Sequence, residues 1–168
     1  GQDTLFGDGL LFRCADLPAF VLGCEICEDL WVANPPSARL CAAGATVIAN
    51  PSASDETIGK AAYRRELVKG QSARLLCGYV YADAGMGEST QDLVFSGHDL
   101  IAENGAILAE SRRFTTGIHY SELDLDRLLH ERRRMNTFEA RPGDCTEVVF
   151  DLPLRDTKLT RPFAQTPF

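Results

Sequence analysis

The chain has 168 residues, 45% hydrophobic and 24% charged, with a formal net charge of −7. This is the size and composition of one globular domain able to bury a core. The acidic balance argues against a nucleic-acid partner, which asks for a basic face. No apolar run reaches the about 18 residues of a membrane span, and the start lacks the charged, apolar and small-residue regions of a secretory signal. A cytoplasmic location with no membrane partner is therefore expected. The chain opens at Gly1 with GQDTLFGDGLLF, which reads as the middle of a longer sequence.

In chain order, residues 10–14 (LLFRC) and 20–26 (FVLGCEI) are short apolar strand candidates. Within residues 34–45, Pro35 and Pro36 suit a helix start and Gly44 its stop. Residues 46–50 (TVIAN) are short and β-branched, as in a buried parallel strand. A turn-rich stretch over 51–59 precedes an amphipathic helix over 60–78. Its apolar positions are Ala62, Leu67, Leu75 and Leu76, and Gly70 is tolerated. Residues 79–84 (YVYADA) form the next strand candidate, so strand and helix alternate as in a layered α/β fold. Further on, Asn104-Gly105 between two apolar runs predicts a type I′ hairpin. Residues 117–123 (GIHYSEL) read as another strand. Residues 124–135 read as a helix capped by Asp124, with Arg132, Arg133 and Arg134 at a solvated C-terminal end. The Pro-rich end, 161–168, reads as a linker.

The six cysteines read as reduced thiols rather than a disulfide framework, since secreted scaffolds are smaller and loop-rich. Cys14, Cys24, Cys41 and Cys77 lie in apolar surroundings. Residues 24–31 (CEICEDLW) pose the functional question. Strand alternation sets Phe20, Leu22, Cys24 and Ile26 on one face, and Val21, Gly23, Glu25 and Cys27 on the other. Cys24 then joins the apolar set as a packed core thiol. Cys27 falls at the strand's C-terminal end, where α/β sheets gather ligands and catalytic groups. Three readings of Cys27 stand open: a nucleophile, an inert buried thiol, or half of a metal or redox pair. The last lacks a second ligand pair, because His98, His119 and His130 are scattered. Glu25, Glu28 and Asp29 would disfavour a thiolate, so a nucleophile here needs a cation and a base from elsewhere. The glycines of residues 84–99 form no phosphate loop, since no Gly-Lys-Ser/Thr follows them. That stretch reads as a substrate-side or interface loop, and His98 as structural.

The blocks EICEDLW, NPSAS and SARLLCGYVYA closely resemble the glutaminase domain of bacterial glutamine-dependent NAD synthetases, a branch of the nitrilase superfamily. The likeness runs along the whole chain and is tightest over residues 24–114. It implies an α/β fold, the nitrilase-like αββα sandwich, of which this chain would cover about half. It also implies a Glu-Lys-Cys triad in which Cys27 stands at the nucleophile position, with the Glu and Lys upstream. The 26 residues before Cys27 hold Glu25 and no Lys, so both partners are expected outside the chain. Residues 1–160 would then be the C-terminal part of the hydrolase domain, and 161–168 a linker toward an absent synthetase domain.

The implied reaction is hydrolysis of the glutamine side-chain amide through a cysteine thioester, supplying ammonia for ATP-dependent NAD synthesis from deamido-NAD. The resemblance points to Ser54 and Lys60 as glutamine-contacting positions. Glu28 would offer its carboxylate to the α-ammonium and its N–H to the oxyanion. On residue chemistry alone Ser54 is an ordinary loop hydroxyl and Lys60 a solvated helix-start lysine. No cofactor is implied for the glutaminase step, and ATP and Mg belong to the synthetase domain. Expected partners are glutamine, that synthetase domain and further copies in a homo-oligomer. A stand-alone amidase or carbamoylase, and a non-catalytic assembly module, are the alternatives.

Overall fold

The computed structural model describes residues 3–88, 91–154 and 157–162. Seven strands form one sheet, β1 (Leu10–Cys14), β2 (Val21–Cys24), β3 (Val47–Ser52), β4 (Gly78–Asp83), β5 (Leu100–Glu103), β6 (Ala106–Glu110) and β7 (Thr146–Phe150), in the order β6-β5-β4-β3-β2-β1-β7. Strands β2, β3 and β4 are mutually parallel, and the flanking β1–β2, β4–β5 and β5–β6 pairs are antiparallel. The helices α1 (Pro36–Ala43) and α2 (Lys60–Leu75) are the crossovers that parallel pairing requires.

Both crossover helices cover one face of the sheet. A Cβ on Gly23 would meet Ile48 and Leu40, so β2 and α1 approach closely there. The register carries this face across Leu11, Gly23, Ile48, Tyr79 and Ala102. These residues, with Leu40, Val68, Tyr81 and Leu100, form the core. The opposite face runs through Phe12, Leu22, Cys24, Ala49 and Val80, which stay partly or largely exposed. One sheet with helices on one face is the half-sandwich expected from the resemblance.

Alternation in residues 20–27 holds, but the buried side is the other one. Val21, Gly23 and Glu25 face the helices, while Cys24 is exposed and is no core thiol. The reason is the glycine: only the Gly23 side lets α1 seat on the strand. Cys14, Cys41 and Cys77 are buried as expected, and all six cysteines are free. On helix α2, Leu67 and Leu75 pack against the core as expected and Leu76 is buried just past its end, but the most buried stripe lies beside them. Ala62 is exposed, and the buried positions are Arg64, Val68, Gln71 and Ser72. Polar groups line that stripe because they meet polar partners, described below. The helix ends at Leu75 with Leu76 left-handed (φ 47°), so Gly78 opens β4 rather than closing α2.

The hairpin forms as expected, with Asn104 (φ 44°) and Gly105 (φ 83°) both left-handed as a type I′ turn requires. Residues 117–123 are not a strand. Ile118 is 91% and Tyr120 86% exposed, so that apolar pattern has no sheet to join. The strand on the far side is instead β7, parallel to β1, which the sequence reading did not anticipate.

Helix α3 (Leu125–Arg134) has its expected Asp124 cap, which accepts from the Arg127 N–H at 3.0 Å. Arg132 is not solvated: it is buried and donates to the carbonyls of Ala45, Leu75 and Leu76 at 2.7–3.1 Å. These include the carbonyls left over at the end of α2, which a guanidinium fork satisfies. Arg133 and Arg134 are exposed as expected. The linker assigned to residues 161–168 falls largely outside the described residues.

Candidate active site

The C-terminal ends of β2, β3 and β4 lie side by side. At β2 the chain leaves the sheet and enters a single 3-10 turn over Cys27–Trp31. Cys27 itself is left-handed, with φ 52°. A residue bearing a Cβ adopts this conformation at a cost of about 1–3 kcal/mol, and such residues cluster at functional sites. The acids around it point to separate tasks. The Asp29 carboxylate accepts from the Ile26 N–H at 2.8 Å and ties the turn to its own entry. Glu25 is 2% exposed and faces the helices, where Tyr79 donates to one oxygen and the Ser37 N–H donates to the other at 2.7 Å. Glu28 alone of the three faces the cavity.

The cavity holds about 340 Å3 and is lined by Cys27, Glu28, Trp31, Ala53, Ser54, Asp55 and Lys60. All four residues singled out from the sequence, Cys27, Glu28, Ser54 and Lys60, therefore open on one space. They come from two segments: the turn after β2, and the loop between β3 and α2 together with the first residue of α2. Cys24 has no place there.

The loop wall differs from its sequence reading. Lys60 is no free lysine: it pairs with Asp55, and its ammonium lies 5.5 Å from the centre of the Trp31 ring. The bond to Lys60 holds the Asp55 carboxyl below the usual carboxylate range. Trp31 in turn meets Tyr63 edge-on, with ring centres 5.2 Å apart. Ser54 is no ordinary loop hydroxyl either. It is 5% exposed, its N–H donates to Asp83 at 2.9 Å, and its Oγ accepts from Arg64 at 3.2 Å.

Arg64 is fully buried and was missed in the sequence. It pairs with Glu56 at 3.1 Å, lies 3.8 Å from Asp83, and meets the His98 Nδ1 at 3.0 Å. Burial would raise the Glu56 carboxyl, but bonds from Ser96 and Arg64 overcome it and hold the group below its ordinary range. Asp83 goes the other way, raised chiefly by desolvation. His98 bridges Arg64 and Glu110 from a buried position, which is the structural role expected of it. The missed signal was positional: Arg64 shares a helix face with Val68, and an arginine on a buried stripe needs a partner.

Asn50 and Tyr79 were also missed. Asn50, 1% exposed, accepts from the Cys27 N–H at 2.8 Å, and its Nδ2 lies 3.4 Å from the Cys27 carbonyl and 3.1 Å from the Tyr79 hydroxyl. The Tyr79 hydroxyl is pushed far above its ordinary range by burial and by the Glu25 carboxylate, so it stays a donor. Among the described residues, no group of three or more His, Cys, Asp or Glu side chains is placed to hold a metal ion. Among them, too, no helix is long and apolar enough to cross a membrane.

No protein-family model matches the chain. Over 179 aligned residues it is 48% identical to the glutamine-dependent NAD(+) synthetase of Mycobacterium tuberculosis strain H37Rv, covering 100% of this chain and 26% of that protein. The chain thus spans about a quarter of the length of such relatives. Among solved structures, a glutamine-dependent NAD(+) synthetase from Cytophaga hutchinsonii superposes with a TM-score of 0.51 at 35% identity, over 61% of this chain and 15% of that one. Saccharomyces cerevisiae Nit3, a nitrilase-superfamily member, superposes with a TM-score of 0.59 at 19% identity, over 70% and 42% of the two chains. That second likeness shows the fold: the sheet and its helix layer are nitrilase-like.

Proposed function

From the premise that this chain belongs to the nitrilase-type, glutaminase part of glutamine-dependent NAD(+) synthetases, we propose that it carries the nucleophile half of a glutamine amidohydrolase site. The Cys27 thiolate attacks the side-chain amide carbon of glutamine. The C–N bond breaks, the nitrogen takes a proton and ammonia leaves, and a thioester remains on the sulfur. Water then cleaves the thioester to glutamate and frees the thiol. The N–H of Cys27 is occupied by Asn50, so the oxyanion role falls to the next amide, that of Glu28.

Glutamine also carries an α-ammonium and an α-carboxylate, and the cavity offers both signs of charge. The Glu28 carboxylate suits the ammonium. Lys60 and the Ser54 hydroxyl suit the carboxylate, with Lys60 exchanging part of its pairing with Asp55. The proton-moving Glu and the charge-stabilising Lys of the triad are assigned to residues preceding Gly1. The released ammonia would serve ATP-dependent amidation of deamido-NAD in a synthetase domain, where ATP and Mg would bind. Partners in this reading are glutamine, that domain and further copies of the protein.

The observation that supports this reading most is the convergence of Cys27, Glu28, Ser54 and Lys60 on one cavity beside a left-handed nucleophile. The test compares the complete protein, its Cys27→Ala variant and residues 1–168 alone. Glutamine-driven NAD formation should vanish in Cys27→Ala while ammonia-driven formation persists. Residues 1–168 alone should release no ammonia from glutamine, because losing triad members costs several powers of ten in rate. Glutamine turnover by the isolated segment would place the base and cation inside it. Ammonia release from simple amides but not glutamine, by the complete protein, would favour a stand-alone amidase.

A further inference from the structure

We propose that Asn50 is a positioning residue that sets the backbone of the nucleophile, and that Tyr79 and Glu25 in turn orient Asn50. This rests on the glutaminase reading and extends it below the cavity floor, to residues that would touch no substrate.

Cys27 must be left-handed for its thiol to leave the strand line at this turn. Glycine adopts that conformation freely but brings no thiol, so a cysteine here has to be held. The two residues before it are tied separately: Glu25 N–H to the Ala49 carbonyl, and Ile26 N–H to the Asp29 carboxylate. Asn50 acts on Cys27 itself, bonding its N–H at 2.8 Å and approaching its carbonyl at 3.4 Å. One planar amide thus spans both peptide groups of a single residue, and rotation of that residue would break the first contact and strain the second.

An amide can do this only when its oxygen and nitrogen are the right way round, and the surroundings decide which way. Tyr79 donates its only hydroxyl proton to Glu25 Oε1, so toward Asn50 its oxygen is an acceptor. The Asn50 group facing Tyr79 must therefore be the NH2, which leaves Oδ1 for the Cys27 N–H. Glu25 cannot swing away, because its second oxygen holds the Ser37 N–H, and the Ser37 hydroxyl accepts from Gln71 at 2.7 Å. Asn50, Tyr79, Glu25 and Ser37 are each at most 2% exposed. A buried polar chain is tolerable when every member is satisfied. Apolar residues would fill a sheet-to-helix layer more simply. The polar chain ends on the nucleophile's peptide, and that is where its effect is delivered.

The test uses the complete protein with Asn50→Asp and Tyr79→Phe. Asn50→Asp keeps size and an acceptor for the Cys27 N–H, but turns an oxygen toward the Cys27 carbonyl and the Tyr79 hydroxyl. Tyr79→Phe leaves Asn50 intact and removes what orients it. For Asn50→Asp, kcat with glutamine should fall ~10–100-fold while KM moves by less than about threefold, as for a misplaced but still bound substrate. For Tyr79→Phe the fall in kcat should be about 3–10-fold, the loss of an outer support. Alkylation of Cys27 by iodoacetamide should slow in the same order, and ammonia-driven NAD formation should persist in both variants. Wild-type kcat and alkylation rate in Asn50→Asp would overturn the proposal. So would equal losses in glutamine- and ammonia-driven activity, which mark a folding defect. Absence of any glutamine turnover in the wild type would sink the glutaminase reading instead, and the alkylation ranking would still decide the role of Asn50.

Discussion

The two walls of the cavity are supported by different chemistry. Behind Cys27 runs a hydrogen-bonded chain of amide, hydroxyl and carboxylate, from Asn50 through Tyr79 to Glu25, ending on the Cys27 backbone. Behind Ser54 sits a buried guanidinium, Arg64, among Glu56, Asp83 and His98. A hydrogen-bonded amide is directional and fixes a torsion. A charge cluster is strong but less directional, and it holds a loop in place. In the proposed reading, a nucleophile at Cys27 needs an angle set, whereas a substrate wall at Ser54 needs a strand-to-helix loop kept against the sheet. Each support suits its task.

That contrast can be broken by single substitutions in the complete protein. The largest effect is expected for Arg64→Met, which leaves Asp83 buried without its cation and Glu56 with only Arg113, 3.3 Å away. Stability measured by urea unfolding should fall by about 3–5 kcal/mol, and a loss under about 1 kcal/mol would show that the cluster is not what holds the loop. Tyr79→Phe, on the nucleophile side, deletes one buried hydroxyl and leaves a carboxylate oxygen and an amide short of a partner. The expected cost is about 1–3 kcal/mol. If Tyr79→Phe costs more than Arg64→Met, the ranking of the two walls is wrong.

A titration sharpens the same comparison. Glu56 is held below its ordinary range in the folded state, so its contribution is present above the unfolded pKa of about 4.3 and is lost as pH falls through the lower folded value. Asp83 is raised, so its burial cost is relieved over the opposite course, as pH falls through its raised folded value. Below pH ~4.3 the wild type should therefore lose stability through Glu56, and Glu56→Gln should flatten that limb. An acid limb unchanged in Glu56→Gln would place the acid sensitivity elsewhere. Least affected in stability is Lys60→Ala, since a half-exposed ion pair contributes about 0–1 kcal/mol. Its effect should appear as a raised KM for glutamine with ammonia-driven synthesis intact. A matching loss of ammonia-driven activity would point to assembly instead.

Much of this was legible in the sequence. The alternation of strand and helix, the Pro and Gly limits of α1, the Asn104-Gly105 hairpin and the Asp124 cap are local chemistry, and they form as read. Cys27 stood out as a candidate at a strand's C-terminal end, but Ser54 and Lys60 emerged only with the family resemblance, because they look ordinary until a neighbouring strand end is brought beside them. Which face of β2 is buried did not follow from alternation: the Phe20, Leu22, Cys24 and Ile26 side looked the more apolar, and Gly23 decided for the other by admitting α1. The buried supports were hidden for a related reason. Asn50 looks like the end of a strand and Arg64 like a surface helix residue. Their signal was a polar group on a buried stripe, and its partners are brought to it from other elements: Cys27 and Tyr79 for Asn50, and Glu56, Asp83 and His98 for Arg64. The strand β7 was missed because its partner, β1, lies at the other end of the chain.

The most direct test of the whole account is where a glutamine-mimicking electrophile lands. Cys24 is exposed three residues away, on the opposite side of the strand, with its thiol pushed up by partial burial. Cys27 lines the cavity. The complete protein treated with a chloroketone analogue of glutamine should carry the adduct on Cys27 by peptide mapping, and excess glutamine should block it. An adduct on Cys24 with Cys27 left free would contradict the account.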